Sequence, residues 1–291
     1  MSLTVRAVGA SVLVEDLGRT GWAHLGVPRS GALDGPAAGL ANRLVGNTGD
    51  AACLEVLLGG LAVSTDGGAW VAVTGAVCEV RLDDRPQAFG AAVWCPAGSV
   101  LALGTPREGL RSYLAVSGGI AVEPVLGSRS TDTLAGVGPP PVSVGDVIQV
   151  GVAVGPPAAL DTPRPPTAGP LRLLPGPRAG QIAGDVLALL VATSYAVSPD
   201  SDRIGLRLDG APLPLAGEIG DGGELPSEGM VLGAVQVPPN GRPVVFLADH
   251  PTTGGYPVVA VVEEEDLWQC AQLRPGETVR FTHAAPGRAT G

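Results

Sequence analysis

Short runs of valine, leucine and isoleucine alternate with turn-forming residues along almost the whole chain. Glycine and proline supply the turns, with 44 and 28 of the 291 residues, because glycine tolerates positive φ and proline fixes φ. Apolar runs of about four to eight residues between such turns are typical of β-strands. The first half predicts strands at Leu3–Val8, Cys53–Leu58, Trp70–Thr74, Cys78–Leu82, Val100–Leu103, Arg111–Val116 and Asp146–Val150.

The second half also alternates apolar runs with turn-forming residues, and it adds two stretches with helical periodicity. Between the halves, Gly155–Pro170 lacks periodicity and contains several prolines, which predicts a stiff linker. We therefore expect a first subdomain at Met1–Val154 and a second at Leu171–Gly291. Helices are predicted at Gln181–Ala192 and Glu263–Gln272. Strands are predicted at Leu171–Leu174, Tyr195–Ser198, Val231–Val237, Val244–Ala248, Val258–Val262 and Glu277–Thr282.

The two halves end alike. VSVGDVIQV at Val142–Val150 and LRPGETVRF at Leu273–Phe281 each place glycine before an acidic residue and then continue as an alternating strand. A glycine–acid turn before a strand is common in β proteins. The repeat fits two related domains in tandem.

The charge pattern excludes several functions. The formal net charge is −10, and all 18 basic residues are arginine. Nucleic-acid binding depends on basic residues that neutralise phosphates, so we expect no nucleic-acid partner. Without lysine, this chain cannot carry lysine-attached biotin, form a Schiff base or supply a P-loop lysine. Biotin, if used, must be carried on another chain.

The four cysteines are widely spaced, and they form neither a CxxC pair nor a zinc pattern with the three histidines. We therefore expect no metal site. No apolar run approaches the roughly 18 residues of a membrane span, and no leader pattern begins the chain. The sequence predicts a soluble cytoplasmic protein that does not contact membranes.

The segment Val14–Asn47 combines glycine-rich loops with one short amphipathic helix. Asp34 is placed to cap a helix with Pro36 in its first turn, and Gly46 ends it. Such a loop suits a binding site, although residues of this kind also serve as caps and turn-formers. The polar candidates in this segment are Glu15, Asp16, Arg19, His24, Arg29, Ser30, Asp34, Asn42 and Arg43.

Four blocks of the sequence, in order along the chain, resemble the carboxyltransferase-type family that includes allophanate hydrolase subunit 2, the C subunit of 5-oxoprolinase and the Kip-antagonist proteins. The resemblance covers essentially the whole chain, and the strings are long and distinctive. The blocks are Val14–Asn47, Ser117–Asp132 (SGGIAVEPVLGSRSTD), Ser198–Gly210 (SPDSDRIGLRLDG) and Leu225–Pro257 (LPSEGMVLGAVQVPPNGRPVVFLADHPTTGGYP).

The resemblance implies a mainly β fold of two cyclophilin-like β-barrel subdomains and three alternative functions. In the first, the chain works with a partner like the 5-oxoprolinase B subunit and a large chain like the A subunit in the ATP-dependent opening of 5-oxoproline, with ATP bound through the complex. In the second, it moves a carboxyl group from carboxybiotin on another chain to urea. In the third, it binds a kinase-inhibitor protein without turnover. We favour the first, because the chain carries no biotin-bearing region.

The loop ADHPTTGGYP follows an apolar strand, where loops commonly carry function. Taken alone, it is typical of a structural turn; the family resemblance favours a site. The substrate-binding candidates in it are Thr252, Thr253, Gly254, Gly255 and Tyr256.

Other candidates have two interpretations each. Arg203 and Arg129 can bind a carboxylate or phosphate in bidentate fashion, but Arg203 also fits an exposed charge and Arg129 a salt bridge to Asp132. His24 and Glu228 fit either structural or catalytic roles.

The chemistry implied by the resemblance is attack on an unreactive amide carbonyl, which backbone N–H donors can polarise. Glycines 31, 118, 254 and 255 suit that role. We predict Asp249, Glu228 and His24 as acid–base groups, and Arg19 or Arg203 as the group that holds a substrate carboxylate. The remaining substrate-binding candidates are Ser30, Asp34, Asn42 and Arg129.

Overall fold

The computed structural model describes residues 1–157, 167–216 and 225–284. The chain is mainly β and includes a nearly closed barrel sheet, which confirms the predicted fold class. It divides into two compact units: one is Met1–Gly21 with Ser30–Pro165, and the other is Trp22–Arg29 with Pro166–Gly291. Most of the predicted linker, residues 158–166, lies outside the described residues. Among the described residues, every helix is too short or too polar to cross a membrane.

Two antiparallel sheets and one helix, α1 (Gly35–Leu44), form the first unit. The strands are β1 (Ser2–Ala7), β2 (Ser11–Glu15), β3 (Cys53–Leu57), β4 (Ala62–Thr65), β5 (Ala69–Gly75), β6 (Val80–Leu82), β7 (Arg85–Gln87), β8 (Val93–Cys95), β9 (Val100–Leu103), β10 (Arg111–Val116) and β11 (Val147–Gln149). Their order is β11–β1–β4–β9–β6–β7 in one sheet and β2–β3–β10–β5–β8 in the other.

The five-stranded sheet buries both of its faces. Successive side chains along a strand point to opposite faces of the sheet. One face, with Leu54 and Leu114, joins the apolar core shared with the six-stranded sheet. The other, with Tyr113 and Ala115, packs against Ala41 and Leu44 of α1. The helix therefore covers one face of a sheet whose opposite face lines the core.

The second unit contains an eight-stranded sheet in the order β20–β13–β14–β17–β16–β19–β12–β21 and a two-stranded ribbon, β15–β18. The elements are β12 (Leu171–Pro175), α2 (Val186–Ala192), β13 (Tyr195–Val197), β14 (Gly205–Asp209), β15 (Glu228–Gly229), β16 (Ala234–Gln236), β17 (Val244–Phe246), β18 (Thr253–Gly254), β19 (Val258–Val262), α3 (Leu267–Cys270), β20 (Thr278–Val279) and β21 (Phe281–His283). Short 3-10 helices occur at Ala23–Leu25, Ala179–Gln181 and Glu264–Asp266.

Two predicted elements begin three or more residues later than the sequence indicated. The predicted helix at Gln181–Ala192 is wrong in its first turns, because Gly184 has φ +92° and Asp185 caps α2 by accepting from Ala188 N at 3.1 Å. The strand predicted from Val231 begins only at Ala234, because Gly233 turns the chain with φ +81°. In both cases a glycine inside the predicted element delays its start.

The turn repeated in the sequence is also repeated in the structure. In the first unit, Ser143 N donates to the Asp146 carboxylate at 2.8 Å, and Gly145 between them has φ +94°. In the second, Arg274 N donates to Glu277 at 2.9 Å, and Gly276 has φ +84°. Each turn precedes a strand at the end of its unit. The same glycine–acid device thus serves both units.

Candidate active site

Asp16, directly after β2, anchors the first group of candidate residues. Its Oδ1 accepts hydrogen bonds from Gly18 N at 2.7 Å, Ser128 Oγ at 2.6 Å and Ser130 Oγ at 2.7 Å. Its Oδ2 accepts from Arg129 N at 2.6 Å. One carboxylate therefore fixes two segments that are more than one hundred residues apart. The sequence singled out Asp16 as polar but gave it no role.

Arg19 extends from this anchored loop into the interior, where its residue is only 2% exposed. Its Nε donates to Val125 O at 3.5 Å and its Nη2 to Ser130 O. Its Nη1 is buried and has no hydrogen-bond partner among the described residues. Gly138 lies so close that a Cβ there would collide with Ser130 O and lie 3.0 Å from Nη2. The arginine is held in place by carbonyls, which do not neutralise its charge.

Arg129 is oriented by the same loop, since its Nε donates to Val122 O at 2.7 Å. Neither terminal nitrogen of Arg129 has a protein partner among the described residues. The sequence allowed a salt bridge between Arg129 and Asp132. Among the described residues, this salt bridge does not form. Instead, Asp132 Oδ1 accepts from Leu134 N at 2.9 Å and Ala135 N at 2.8 Å, as a turn cap.

The start of α1 meets a second buried polar cluster. Asp34 caps the helix as predicted, with its Oδ1 accepting from Ala37 N at 2.9 Å. Asp34 N donates to Tyr113 Oη at 2.8 Å, and Tyr113 Oη donates to Glu55 Oε2 at 2.8 Å. Glu55 also accepts from Leu33 N at 3.1 Å. Backbone N–H groups at the start of a helix can bind an anion. Here the N–H groups of Leu33, Asp34 and Ala37 already donate to side chains of the protein.

Burial raises the pKa of Tyr113 well above its ordinary value, and the charges of Glu55 and Asp34 raise it further. Tyr113 therefore stays protonated and acts as a donor to Glu55. Arg111 lies beside Glu55, with 3.3 Å between Nε and Oε1. The sequence did not predict this cluster, because its residues lie inside strands recognised only as apolar runs.

Ser30 and Asn42 make internal contacts. Ser30, with a positive φ of 54°, donates through Oγ to Thr131 O at 2.8 Å. Asn42 donates to Ala51 O at 2.7 Å and accepts from Asn47 Nδ2 at 2.9 Å. Both residues fix the backbone around the site, and their binding roles stay predictions.

One of the glycines suggested as an oxyanion donor is already occupied. Gly118 N donates to Asn47 Oδ1 at 2.8 Å. That N–H cannot polarise a substrate carbonyl while this bond holds, so its suggested role is not supported by the structure.

In the second unit, Arg203 and Asp249 face each other. Arg203 Nε lies 2.9 Å from Asp249 Oδ2, and its Nη2 lies 3.1 Å from Oδ1. Arg203 is 6% exposed and Asp249 is fully buried. Each was predicted to act on substrate, but here they pair with each other. Their roles in substrate binding and proton transfer stay predictions.

The loop after Asp249 is fixed at several points. Thr252 O accepts from Met230 N at 2.9 Å, and Thr253–Gly254 forms the ribbon strand β18 against β15. Gln236 Nε2 donates to Tyr256 O at 3.0 Å. A Cβ on Gly254 would lie 2.8 Å from that same Nε2. The structure therefore holds Thr253 and the 47%-exposed Tyr256 outward on a rigid loop.

Gly255 lies in a more open place on this loop. The nearest atom that a Cβ there would meet is Leu225 O at 3.5 Å, which is an ordinary contact distance. Its suggested role as a backbone donor stays a prediction.

Glu228 pairs with Gly254 across this ribbon and with Arg178 through its side chain. Glu228 Oε2 accepts from Arg178 Nε at 3.1 Å, and Oε1 accepts from Nη2. Hydrogen bonding to Arg178 lowers the pKa of Glu228. The carboxylate is therefore ionised at neutral pH and is about one-third exposed, beside the candidate loop.

His24 lies on the 3-10 helix Ala23–Leu25 and is exposed. Its ring stacks on Trp22 with 6.2 Å between ring centroids and 23° between planes. This contact is compatible with a structural role and with a catalytic one.

No group of three or more metal-binding side chains is found among residues 1–157, 167–216 and 225–284. The four cysteines are buried, and burial raises the pKa of Cys95 to about 11 and of Cys270 to about 12. Thiolate chemistry is therefore not favoured at neutral pH.

The candidate residues thus gather at two places, each within one unit. In the first unit, Arg19, Ser30 and Arg129 lie on or beside the segments that Asp16 joins, and Asp34 lies in the cluster with Tyr113 and Glu55. Arg203, Asp249, Glu228 and the loop Thr252–Tyr256 lie together in the second. The sequence profile of the family described as carboxyltransferase domain, subdomain A and B, matches residues 25–283. The chain belongs to this family.

Similar proteins include two bacterial proteins named as the C subunit of 5-oxoprolinase. The protein from Escherichia coli (strain K12) is 38% identical over 97% of this chain and 91% of its own length. The one from Haemophilus influenzae is 32% identical over 94% of this chain and 88% of its own length. A urea amidolyase from Lachancea kluyveri is 32% identical over 95% of this chain but only 16% of its own length.

Solved structures also match this chain over nearly its whole length. The crystal structure of TTHA0988 matches with a TM-score of 0.85 and 40% identity, covering 97% of this chain and 55% of that one. The Kluyveromyces lactis urea amidolyase matches with a TM-score of 0.89 and 29% identity, covering 98% of this chain and 19% of that one. The chain therefore corresponds to nearly the whole of the two bacterial 5-oxoprolinase components and to a part of larger proteins.

Proposed function

We propose that this chain is the C subunit of a 5-oxoprolinase, which opens 5-oxoproline to glutamate with hydrolysis of ATP. The observation that carries the proposal is the 38% identity to the Escherichia coli 5-oxoprolinase component across 97% of this chain and 91% of that protein. A match of this length extends over both units.

The geometry of the first unit suits a lactam. Opening the ring adds water across the C–N bond of a poorly reactive amide, so the carbonyl oxygen must be polarised as negative charge develops on it. A buried arginine whose described hydrogen-bond partners are carbonyls can stabilise negative charge that develops nearby, and charges interact more strongly in a medium of low dielectric. Arg19 is such a group. Arg129, with its terminal nitrogens available, is the better candidate for the substrate carboxylate.

The second unit offers a proton acceptor. Among the three predicted acid–base groups, Glu228 is the one that combines partial exposure with a position on the ribbon beside Gly254. Because Arg178 keeps it ionised, Glu228 can accept a proton but cannot donate one near neutral pH, and its lowered pKa makes it a weak base. Within this unit, Thr253 and Tyr256 are the proposed substrate-binding residues of the same loop.

ATP is proposed to bind through partner chains. The chain has no lysine, and the start of α1 is occupied by Asp34, Tyr113 and Glu55. The partners we propose, in the cytoplasm, are a protein like the 5-oxoprolinase B subunit, which is the counterpart of allophanate hydrolase subunit 1 and the Kip inhibitor, and a large protein like the A subunit. Biotin has no place in this scheme.

Carboxyl transfer from carboxybiotin to urea is the second candidate function. It is favoured by the match to urea amidolyases over 95% of this chain and by the TM-score of 0.89. Since the chain has no lysine, the biotin would have to arrive on another protein. A non-catalytic role in binding a kinase-inhibitor protein is the third.

Reconstitution of the full chain with its partner proteins tests these alternatives. We expect ADP release that requires both 5-oxoproline and this chain. Glu228→Gln should reduce that release, whereas Asp209→Asn, which removes the exposed pair of Asp209 with Arg242 at 2.8 Å, should not. Release that requires urea and biotinylated protein instead would favour carboxyl transfer. Tight partner binding without any turnover would favour the binding role.

A further inference from the structure

The turn that follows β12 brings one arginine to the candidate loop of the second unit. This turn, Pro175–Arg178, lies against β19, because Gly176 N donates to Val259 O at 3.0 Å. A Cβ on Gly176 would lie only 2.5 Å from Val258 O, so this close approach requires glycine. Arg178 N then donates to Val258 O at 2.9 Å. The backbone of Arg178 is therefore fixed where the candidate loop joins β19.

The side chain of Arg178 reaches the other end of the same loop. Its Nε donates to Glu228 Oε2 at 3.1 Å, and its Nη2 donates to Glu228 Oε1. Glu228 in turn pairs with Gly254 across the ribbon β15–β18. Arg178 is thus joined directly to Val258 and, through Glu228, to the strand that ends at Gly254. These two contacts bound the segment Gly254–Val258.

This ion pair differs from an ordinary pair on a protein surface. Exposed pairs commonly contribute little, because two flexible side chains must be ordered to form them. Here both oxygens of Glu228 accept from one guanidinium, and bidentate bonding fixes the direction of a carboxylate as well as its distance. The backbone of Arg178 is already held by β19. The carboxylate is therefore oriented as well as neutralised.

The ribbon itself adds no other charge beside Glu228. Its residues are Glu228 and Gly229 in β15 and Thr253 and Gly254 in β18. The pKa of Glu228 is lowered by hydrogen bonding to Arg178 and, further, by the charge of Arg178. Within the ribbon, orientation and ionisation of Glu228 thus depend on the same arginine.

We propose that Arg178 is a positioning residue, which holds the Glu228 carboxylate in the orientation that proton transfer requires and fixes the loop Gly254–Val258 beside it. This inference rests on the proposed function and on the role of Glu228 in it. The sequence gave Arg178 no role, because its partners lie about 50 and 80 residues further along the chain.

Two substitutions separate the geometry of Arg178 from its charge. Arg178→Lys keeps the positive charge but cannot form the bidentate contact, because an ammonium group is a point charge. Arg178→Met keeps an apolar stem and removes both the charge and the contact. Arg242→Met is the matched control in the same unit, because Arg242 is an exposed arginine that pairs with Asp209 at the end of β14, at 2.8 Å.

In the reconstituted complex, we expect both Arg178 variants to lower kcat for 5-oxoproline-dependent ADP release by about tenfold, because a misplaced catalytic group slows reaction strongly. Basicity alone predicts no such loss for Arg178→Met, since removal of the arginine raises the pKa of Glu228 and makes it a stronger base. The acidic side of the pH profile of kcat/KM should move to higher pH in Arg178→Met and stay in place in Arg178→Lys. Arg242→Met should match wild type in both measurements.

Wild-type kcat in Arg178→Lys would overturn the proposal, because charge alone would then be sufficient, and wild-type kcat in Arg178→Met would overturn it as well. An unmoved pH profile in Arg178→Met would show that Arg178 does not act through Glu228.

If the wild-type complex does not act on 5-oxoproline, the proposed function fails separately. Amide hydrogen exchange in the full chain then decides whether Arg178 positions the loop. Faster exchange of Gly254–Val258 in both Arg178 variants, but not in Arg242→Met, supports the proposal. Exchange at the wild-type rate in the Arg178 variants overturns it.

Discussion

Arg19 in the first unit and Arg203 in the second are both buried arginines, but their surroundings differ. Arg203 meets the Asp249 carboxylate with two hydrogen bonds of 2.9 and 3.1 Å. Arg19 meets two carbonyls and keeps one nitrogen without a partner among the described residues. A carboxylate neutralises an arginine and uses its donors, whereas carbonyls only orient it. Burial of an arginine is therefore a poor guide to function until its partners are known.

The largest effect is expected from Arg203→Met. Removing one partner leaves the fully buried Asp249 carboxylate without the counter-charge of Arg203, which costs about 3–5 kcal/mol. Chemical unfolding of the isolated chain measures this loss. The double variant Arg203→Met with Asp249→Leu should be more stable than Arg203→Met alone, because the buried carboxylate is then removed as well. Equal stability of the two would show that the pair contributes through packing and not through charge.

Asp16→Asn should have the next largest effect on stability. The carboxylate accepts from three groups on Oδ1 and from Arg129 N on Oδ2. An amide NH2 in place of one oxygen faces a donor, so we expect a loss of about 1–3 kcal/mol. Because Asp16 positions the loop that carries Arg19, KM should rise as well. A stability loss with unchanged KM would mean that Arg19 does not depend on this anchor.

Arg19→Met should separate stability from activity. It removes two hydrogen bonds to carbonyls and no ion pair, so the stability loss should be about 1–2 kcal/mol, smaller than for Arg203→Met. Substrate-dependent ADP release should nevertheless fall to near background. If Arg19→Met were as destabilising as Arg203→Met and remained active, the contrast between the two arginines would be wrong.

The smallest effect concerns the partly exposed pair of Glu228 with Arg178. Hydrogen bonding to Arg178 lowers the pKa of Glu228 in the folded chain. A lowered folded pKa contributes stability above the unfolded value of about 4.3, and this contribution is lost as pH falls through the folded value. Wild type should therefore lose stability more steeply than Glu228→Gln below about pH 4. Parallel pH profiles would show that the pair does not contribute.

Local sequence patterns were enough for much of the fold. The strand at Arg111–Val116 and the helix that begins after Asp34 and ends before Gly46 depend on neighbouring residues, and the structure confirms them. The late start of α2 follows from Gly184. This glycine was visible in the sequence, but the prediction followed the apolar periodicity around it instead.

The site was predictable only in part, because its contacts join residues far apart in sequence. Arg203 and Asp249 were both named, yet nothing in the sequence indicated that they would pair across 46 residues. Asp132 lay in a block that resembles the family, but its role as a turn cap depends on the fold around it. Periodicity identifies which residues are buried, and it does not identify their polar partners.

The short segment Trp22–Arg29 belongs to the second unit although it lies within the sequence of the first. A gene cut once between the halves would therefore yield a C-terminal fragment without this segment of its own unit. Arg29, which lies 3.7 Å from Glu264, would be lost from that fragment. Exchange of a whole unit between relatives must accordingly transfer two separate pieces of DNA, and this ties the inheritance of the two units together.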